Sequence, residues 1–164
     1  MEVRRATVED IPVIQKLVHV IWPVAYGNII TAEQITYMLD LIYSDKSLKN
    51  QFSLGHQFII AEENDQPLGF ASFSVKDPED PAHYRLHKLY VLTNYHRTGI
   101  GKLLLNHIIT EIRCKDGTSI ELNVNRDNKA IGFYKYLGFD IVKEEDIDIG
   151  SGYYMNDYVM NYQL

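Results

Sequence analysis

The sequence predicts one α/β (α+β) domain with the element order β-α-α-β-β-β-α-β-α-β-β over 164 residues. Three observations carry this expectation. Apolar residues recur at helical spacing early in the chain, first Ile11, Val13, Ile14, Leu17, Val18 and Ile21, then Ile35, Met38, Leu39 and Ile42. From Phe58 onward the pattern changes to short apolar runs and alternations separated by turn residues. Between a long strand pattern and a long amphipathic one stand two glycines, Gly99 and Gly101. No repeat, linker or low-complexity tract divides the chain, so residues 1–164 are expected to form a single domain.

Each element has a local reason. Met1 to Thr7, with Val3 among charges, predicts an edge strand. Thr7 precedes Asp10 by three residues, a capping-box spacing, and opens a helix that Pro23 should stop. A second helix starts at Thr31, and Leu48 to Leu54 adds a further turn or two before Gly55. Phe58 to Ala61 is a strand, Asn64-Asp65-Gln66-Pro67 a turn, and Leu68 to Val75 its hairpin partner. Asp77 to Pro81 predicts a surface loop. Tyr84 to Leu92 follows with bulky residues on both faces, as in a central strand. The helix after Gly99 presents Ile100, Leu103, Leu104, Ile108, Ile109 and Ile112 and closes at Asp116-Gly117. Ile120, Leu122 and Val124 alternate through a strand, and Asn128 caps a short helix from Lys129 to Tyr136. Ile141 to Ile149 and Tyr153 to Tyr162 form a last hairpin around Gly150-Ser151-Gly152, its acidic run from Glu144 to Asp148 a solvated edge.

Composition narrows the function classes. Lys and Arg total 16 against 22 Asp and Glu, a formal charge of −6. An acidic domain is repelled by phosphate backbones, so nucleic acid is not an expected partner; a cationic small molecule fits better. No apolar run approaches the ~20 residues of a membrane span, and the polar start is unlike a signal peptide, so no membrane partner is expected. With Cys114 as its one cysteine, the chain is expected in the reducing cytoplasm. The six histidines do not cluster with Cys or carboxylates at ligand spacing, so no metal is expected.

The glycine turn is the chemically informative stretch. A helix N-terminus offers unpaired amides and a positive dipole end, and glycines allow a phosphate close to the backbone; Arg97 and Lys102 add charge. A triphosphate loop would need Ser or Thr after Lys102, where Leu103 stands, and Gly at position 96, where His96 stands. A dinucleotide fingerprint would need Gly at Leu104 and an acid at a strand end, whereas Glu121 lies within a strand. Neither spacing fits, which removes a nucleotide-binding regulator.

Leu89-Tyr90-Val91, the turn His96-Arg97-Thr98-Gly99-Ile100-Gly101, Asn128, and Phe133-Tyr134-x-x-Leu137-Gly138-Phe139 together resemble the GCN5-related N-acetyltransferase (GNAT) superfamily. The resemblance covers nearly the whole chain. It implies a mixed, mostly antiparallel central sheet flanked by helices, and acetyl-CoA as cosubstrate. His96 departs from it, standing where the family usually has Gln or Arg. Trp22-Pro23-x-x-Tyr26 and Gly152-Tyr153-Tyr154-Met155-Asn156-Asp157-Tyr158 look similar to bacterial polyamine and small-amine acetyltransferases.

What the resemblance implies is an acyltransferase acting by direct transfer. The backbone of Leu89, Tyr90 and Val91 would pair with the pantetheine arm, and the amides of His96, Arg97, Thr98, Gly99, Ile100, Gly101 and Lys102 would hold the pyrophosphate. An amide near Val91 would face the oxyanion, and Asn128 would touch the cofactor arm. Tyr134 would protonate the leaving thiolate: a thiol pKa of ~8.5 beside a tyrosine pKa of ~10 makes that transfer feasible. An alkylamine of pKa ~10.4 must lose a proton before attack, so a base or water chain is required, with His87, Tyr90 and Asp157 as candidates. Trp22, Tyr26, Tyr153, Tyr154 and Asp157 would form an aromatic, anionic acceptor site for a cationic amine. The expected acceptor is a small primary amine, polyamines ahead of peptide or ribosomal N-termini; the resemblance also allows a homodimer. The rival of another class is a non-catalytic acetyl-CoA-binding sensor.

Overall fold

The computed structural model describes residues 1–164, and its seven strands lie in one sheet in the order β1-β2-β3-β4-β5-β7-β6. The strands are β1 (Glu2–Arg5), β2 (Gln57–Glu63), β3 (Gln66–Asp77), β4 (Asp80–Val91), β5 (Ser119–Asn125), β6 (Asp140–Gly150) and β7 (Tyr153–Gln163). The helices are α1 (Ile11–Tyr26), α2 (Ala32–Tyr43), α3 (Asp45–Ser53), α4 (Ile100–Arg113) and α5 (Ala130–Tyr136). β1 with β2, β2 with β3, β5 with β7 and β6 with β7 pair antiparallel, whereas β4 and β5 run parallel. The mixed, mostly antiparallel sheet agrees with the expected fold class. No helix is long and apolar enough to cross a membrane.

Two compact units make up the chain, Met1–Ser74 with His87–Glu111, and Val75–Leu86 with Ile112–Leu164. In the first unit Phe58 to Ala61 and Leu68 to Phe73 are buried on both strand faces, and the apolar stripes of α1, α2 and α4 join that core. The capping box of Thr7 and Asp10 is present, and Asp10 also holds Arg4 at 2.8 Å. In the second unit Ile120, Leu122 and Val124 of β5, Met160 of β7 and Phe139 are buried, while β6 is an exposed edge.

Four expectations need correction. Pro23 does not end the first helix; α1 continues to Tyr26. Proline removes one intrahelical bond, and the ring packing of the last turn offsets that loss: Trp22 lies 4.6 Å from Tyr26 and 5.7 Å from Tyr43. The turn near Leu48 is a nine-residue helix, α3, capped by Ser44, whose hydroxyl accepts from the Ser47 amide. The loop over Asp77–Pro81 shrinks to a tight turn, because β4 begins at Asp80 rather than Tyr84 and ends at Val91. The helix after Asn128 starts at Ala130 rather than Lys129, so Lys129 takes the N-cap position with no side-chain cap, while Asn128, one residue earlier, accepts from the Ala130 amide through its Oδ1 at 2.9 Å.

Candidate active site

The end of β4 and the turn after it are built from backbone. The Leu92 amide donates to the Leu68 carbonyl of β3 at 2.9 Å. Alternate amides of an extended strand face opposite edges, so the Val91 N–H and C=O point away from β3. The parallel register of β4 with β5 is short, from His83/Ser119 to Leu86/Leu122, and β4 runs on to Val91. A 3₁₀ turn, Thr93–Tyr95, then leads to His96. Arg97 and Gly99 follow with φ of +64° and +92°. These left-handed residues aim the chain into α4, whose first-turn amides, from Ile100 onward, have no carbonyl four residues back within the helix. Arg97 and Lys102 flank them. The free amides and the helix dipole there suit an anionic diphosphate, with Arg97 and Lys102 adjacent in the chain.

On the other side of β4's chemistry, the first unit carries an aromatic cluster. The Tyr26 and Tyr90 hydroxyls lie 3.0 Å apart, and Trp22 packs 6.0 Å from Tyr90. Trp22 is only 3% exposed, so it backs the cluster, and Tyr26 and Tyr90 are its half-buried faces. Burial raises the hydroxyl pKa of Tyr43 behind them. His87 lies four residues before Val91; its Nε2 is 2.7 Å from the Ser74 hydroxyl, and its ring stacks on His56 at 3.9 Å and 6°. Burial, then the charge of Lys88, push His56 down to about 4, so it is a neutral ring at physiological pH.

Sequence reasoning passed over Lys88. It is 7% exposed, its Nζ donates to the Gln51 Oε1 at 2.6 Å, and the rings of Tyr43 and Phe58 each lie 5.5 Å away. Gln51 is itself fixed by donating to the Ile42 carbonyl and Ser47 hydroxyl. With no carboxylate among these partners, burial pushes the amine down to about 8. A lysine inside an apolar strand pattern was the available signal.

The second unit carries its own candidate side chains. Tyr134, on α5, is 7% exposed, its ring against Phe133 and Phe139. Asp157, on β7, is 6% exposed. The Asn123 amide bridges it to Glu145, at 3.3 and 3.0 Å, and the Arg85 guanidinium donates to the Asn123 Oδ1 at 2.7 Å. Burial, with the like charge of Glu145, raises the Asp157 carboxyl. Tyr154 is 51% exposed near the last hairpin. A polar cleft of about 350 Å³, lined by Lys76, Asp80, His83 and Glu121 among others, contains none of the expected site residues.

Comparison with known proteins gives the family and the fold. The Acetyltransferase (GNAT) family profile matches residues 21–139, and the chain belongs to that family. It is 35% identical over 104 residues to N-alpha-acetyltransferase 50 of Danio rerio, covering 62% of this chain and 61% of that protein. The PaiA N-acetyltransferase of Thermoplasma acidophilum, solved in complex with coenzyme A, superposes with a TM-score of 0.83 over 99% of this chain and 98% of that one, at 24% identity. A ribosomal-protein-alanine N-acetyltransferase of Brucella melitensis superposes with a TM-score of 0.72 over 100% of both chains, also at 24% identity.

Proposed function

We propose that this chain is an acetyl-CoA-dependent N-acetyltransferase acting by direct transfer to a primary amine. The observation that carries the proposal is the β4 end: an outward-facing Val91 amide followed at once by a left-handed turn and the free amides of Ile100, Gly101 and Lys102 at the start of α4. Acetyl-CoA supplies the activated thioester; everything else falls to the chain. The β4 backbone over Leu89–Val91 takes the pantetheine arm as an added strand would lie, and the amides of Arg97, Gly99, Ile100, Gly101 and Lys102 take the diphosphate, since those of His96 and Thr98, also expected to do so, already donate to the Thr93 and Tyr95 carbonyls. Asn128 keeps its Oδ1 on the Ala130 amide and presents its amide nitrogen to the cofactor arm.

The Val91 N–H donates to the oxyanion that forms when an amine nitrogen attacks the acetyl carbon, a contribution of roughly 3–4 kcal/mol. As the carbon–sulfur bond breaks, the sulfur keeps the bonding pair and Tyr134 Oη gives it a proton. The proton lost by the amine passes to His87, whose Nε2 lies 2.7 Å from the Ser74 hydroxyl and whose ring stacks on the neutral His56. An equal exchange returns Tyr134 and His87 to their starting states through solvent.

Two acceptor classes have separate support. The formal charge of −6, the Tyr26–Tyr90 pair and the Asp157–Glu145 carboxylates favour a small cationic amine such as a polyamine. The printed names of the Danio rerio and Brucella melitensis proteins favour the α-amino group of a polypeptide. Thiol release from acetyl-CoA against spermidine, spermine, amino acids and short peptides tests both. Saturable release with polyamines supports the first class, and release with peptides alone moves the enzyme to the second. Binding of acetyl-CoA with release from no acceptor would make the chain a sensor.

A further inference from the structure

The two peptide planes that flank Val91 are both held, and one of the groups holding them comes from the turn. The Tyr90 carbonyl belongs to the same plane as the Val91 N–H and faces Gly69 of β3, where a Cβ would sit 2.7 Å from that oxygen and 3.2 Å from the Val91 Cα. The 91–92 plane is fixed at both ends. Its N–H, on Leu92, donates to the Leu68 carbonyl at 2.9 Å, and its oxygen, on Val91, accepts from the His96 Nε2 at 3.0 Å. A carbonyl oxygen is only an acceptor, so the imidazole must carry its proton on Nε2. Both the Nε2–H neutral ring and the imidazolium satisfy that, so this contact holds whether His96 is charged or not. The His96 amide meanwhile donates to the Thr93 carbonyl at 3.1 Å, which anchors the imidazole within the turn itself.

We propose that His96 is a positioning residue that couples occupancy of the glycine turn to the direction of the Val91 amide, with Gly69 as the close-packed backing that makes the coupling stiff. The proposal rests on the reading of Val91 as the oxyanion donor. A ligand diphosphate on the amides after His96 fixes the turn, and the imidazole carries that constraint to the carbonyl of the residue whose N–H does the work. His96 acts through the Val91 carbonyl, so its removal affects turnover more than binding.

The test compares the wild type with His96→Ala and His96→Gln, since the Gln amide nitrogen donates over a similar reach. Coenzyme A affinity is measured by calorimetry, turnover by thiol release, and the Val91 amide by its ¹⁵N–¹H shift on adding coenzyme A. The expected result is coenzyme A affinity within about threefold in all three proteins. Turnover should fall about tenfold or more in His96→Ala and recover in His96→Gln. S-acetylpantetheine, which lacks the diphosphate, should be a poorer donor than acetyl-CoA for the wild type, with that gap narrowed in His96→Ala. Turnover that falls only in step with affinity, or does not fall, overturns the proposal. If the wild type itself acetylates nothing, the Val91 shift still decides. A coenzyme A-induced shift present in the wild type and His96→Gln but absent in His96→Ala upholds the coupling, and an equal shift in all three overturns it. Gly69→Ala is the second variant: it should lower turnover more than coenzyme A affinity, and an unfolded Gly69→Ala leaves the His96 pair to decide.

Discussion

The glycine turn of the first unit and the polar network of the second are made of different materials. The turn works through backbone: left-handed Arg97 and Gly99, an amide row at the start of α4, and a Val91 amide held by its neighbours. The network works through side chains: Tyr134 packed against aromatic rings, and Asp157 sharing the Asn123 amide with Glu145. A backbone site tolerates a changed side chain only where the backbone shape survives, and at His96 the imidazole helps to hold that shape through the Val91 carbonyl. A side-chain site has no such latitude, because its chemistry is the side chain. Substitutions in the second unit should therefore cost function without fold, and substitutions in the turn should cost both in modest amounts.

Tyr134→Phe tests the first half of that contrast and carries the largest expected effect. The ring stays, so its packing on Phe133 and Phe139 persists, while the proton donor is lost. Turnover should drop by about 10²–10⁴ with coenzyme A affinity unchanged. Unchanged turnover would remove Tyr134 from the chemistry and leave α5 a structural element.

Lys88 extends the comparison to a buried charge inside the backbone-built unit. Its amine is pushed down to about 8, whereas the unfolded chain keeps that proton to about 10.4. Below pH 8 both states hold the proton, and the fold bears the cost of burying it. Between about 8 and 10.4 the unfolded chain binds more protons than the fold, so stability rises with pH. The rise is about 3 kcal/mol at full extent. Denaturant unfolding of wild type and Lys88→Met from pH 7 to 10.5 reads it: the wild type should gain on the variant over that window. Parallel curves would mean that the charge is not desolvated.

How far the sequence reached follows the same division. The turn was legible because glycine spacing reports backbone shape, and one strand-to-helix junction suffices to place it. The edge strand, the capping box at Thr7 and the closing hairpin were legible for the same local reason. Pro23 misled because packing of Trp22 and Tyr26 against Tyr43 and Tyr90 outweighed a local rule. Lys88, His56 and Asn123 stayed invisible because their partners are far away in sequence: Gln51, His87 and Asp157 meet them only in the fold. Tyr134 was reached through a resemblance, since nothing in its own neighbourhood separates an acid from a core tyrosine.

Gly99→Ala probes the turn directly. The φ of +92° is costly for any residue with a Cβ, but a methyl there meets nothing within 4 Å. The penalty is therefore backbone strain alone, about 1–2 kcal/mol. Thermal unfolding should shift down by a few degrees, and coenzyme A affinity should weaken by about tenfold or less as the amides tilt. A loss of affinity without any loss of stability would show that the turn adopts this shape only around its ligand.

Asp157→Asn is the smallest expected effect in stability and the sharpest test of what the second unit recognises. Burial and Glu145 hold the native carboxyl above its ordinary value, so in the window above about 3.8 the fold binds more protons than the unfolded chain. Stability therefore falls as pH rises through that window, and the amide variant should lack the fall. At neutral pH it should be as stable as the wild type or slightly more so, because one of two neighbouring negative charges is gone while Asn123 still has an acceptor to bond. Function then separates the acceptor classes. If a polycation is the substrate, removing that charge raises KM for spermidine and leaves kcat nearly untouched, the pattern of lost ground-state binding. If polypeptide α-amines are the substrates, the variant should acetylate peptides at the wild-type KM. In that case Asp157 is a structural acid whose strain the fold carries for the sake of the Asn123 bridge.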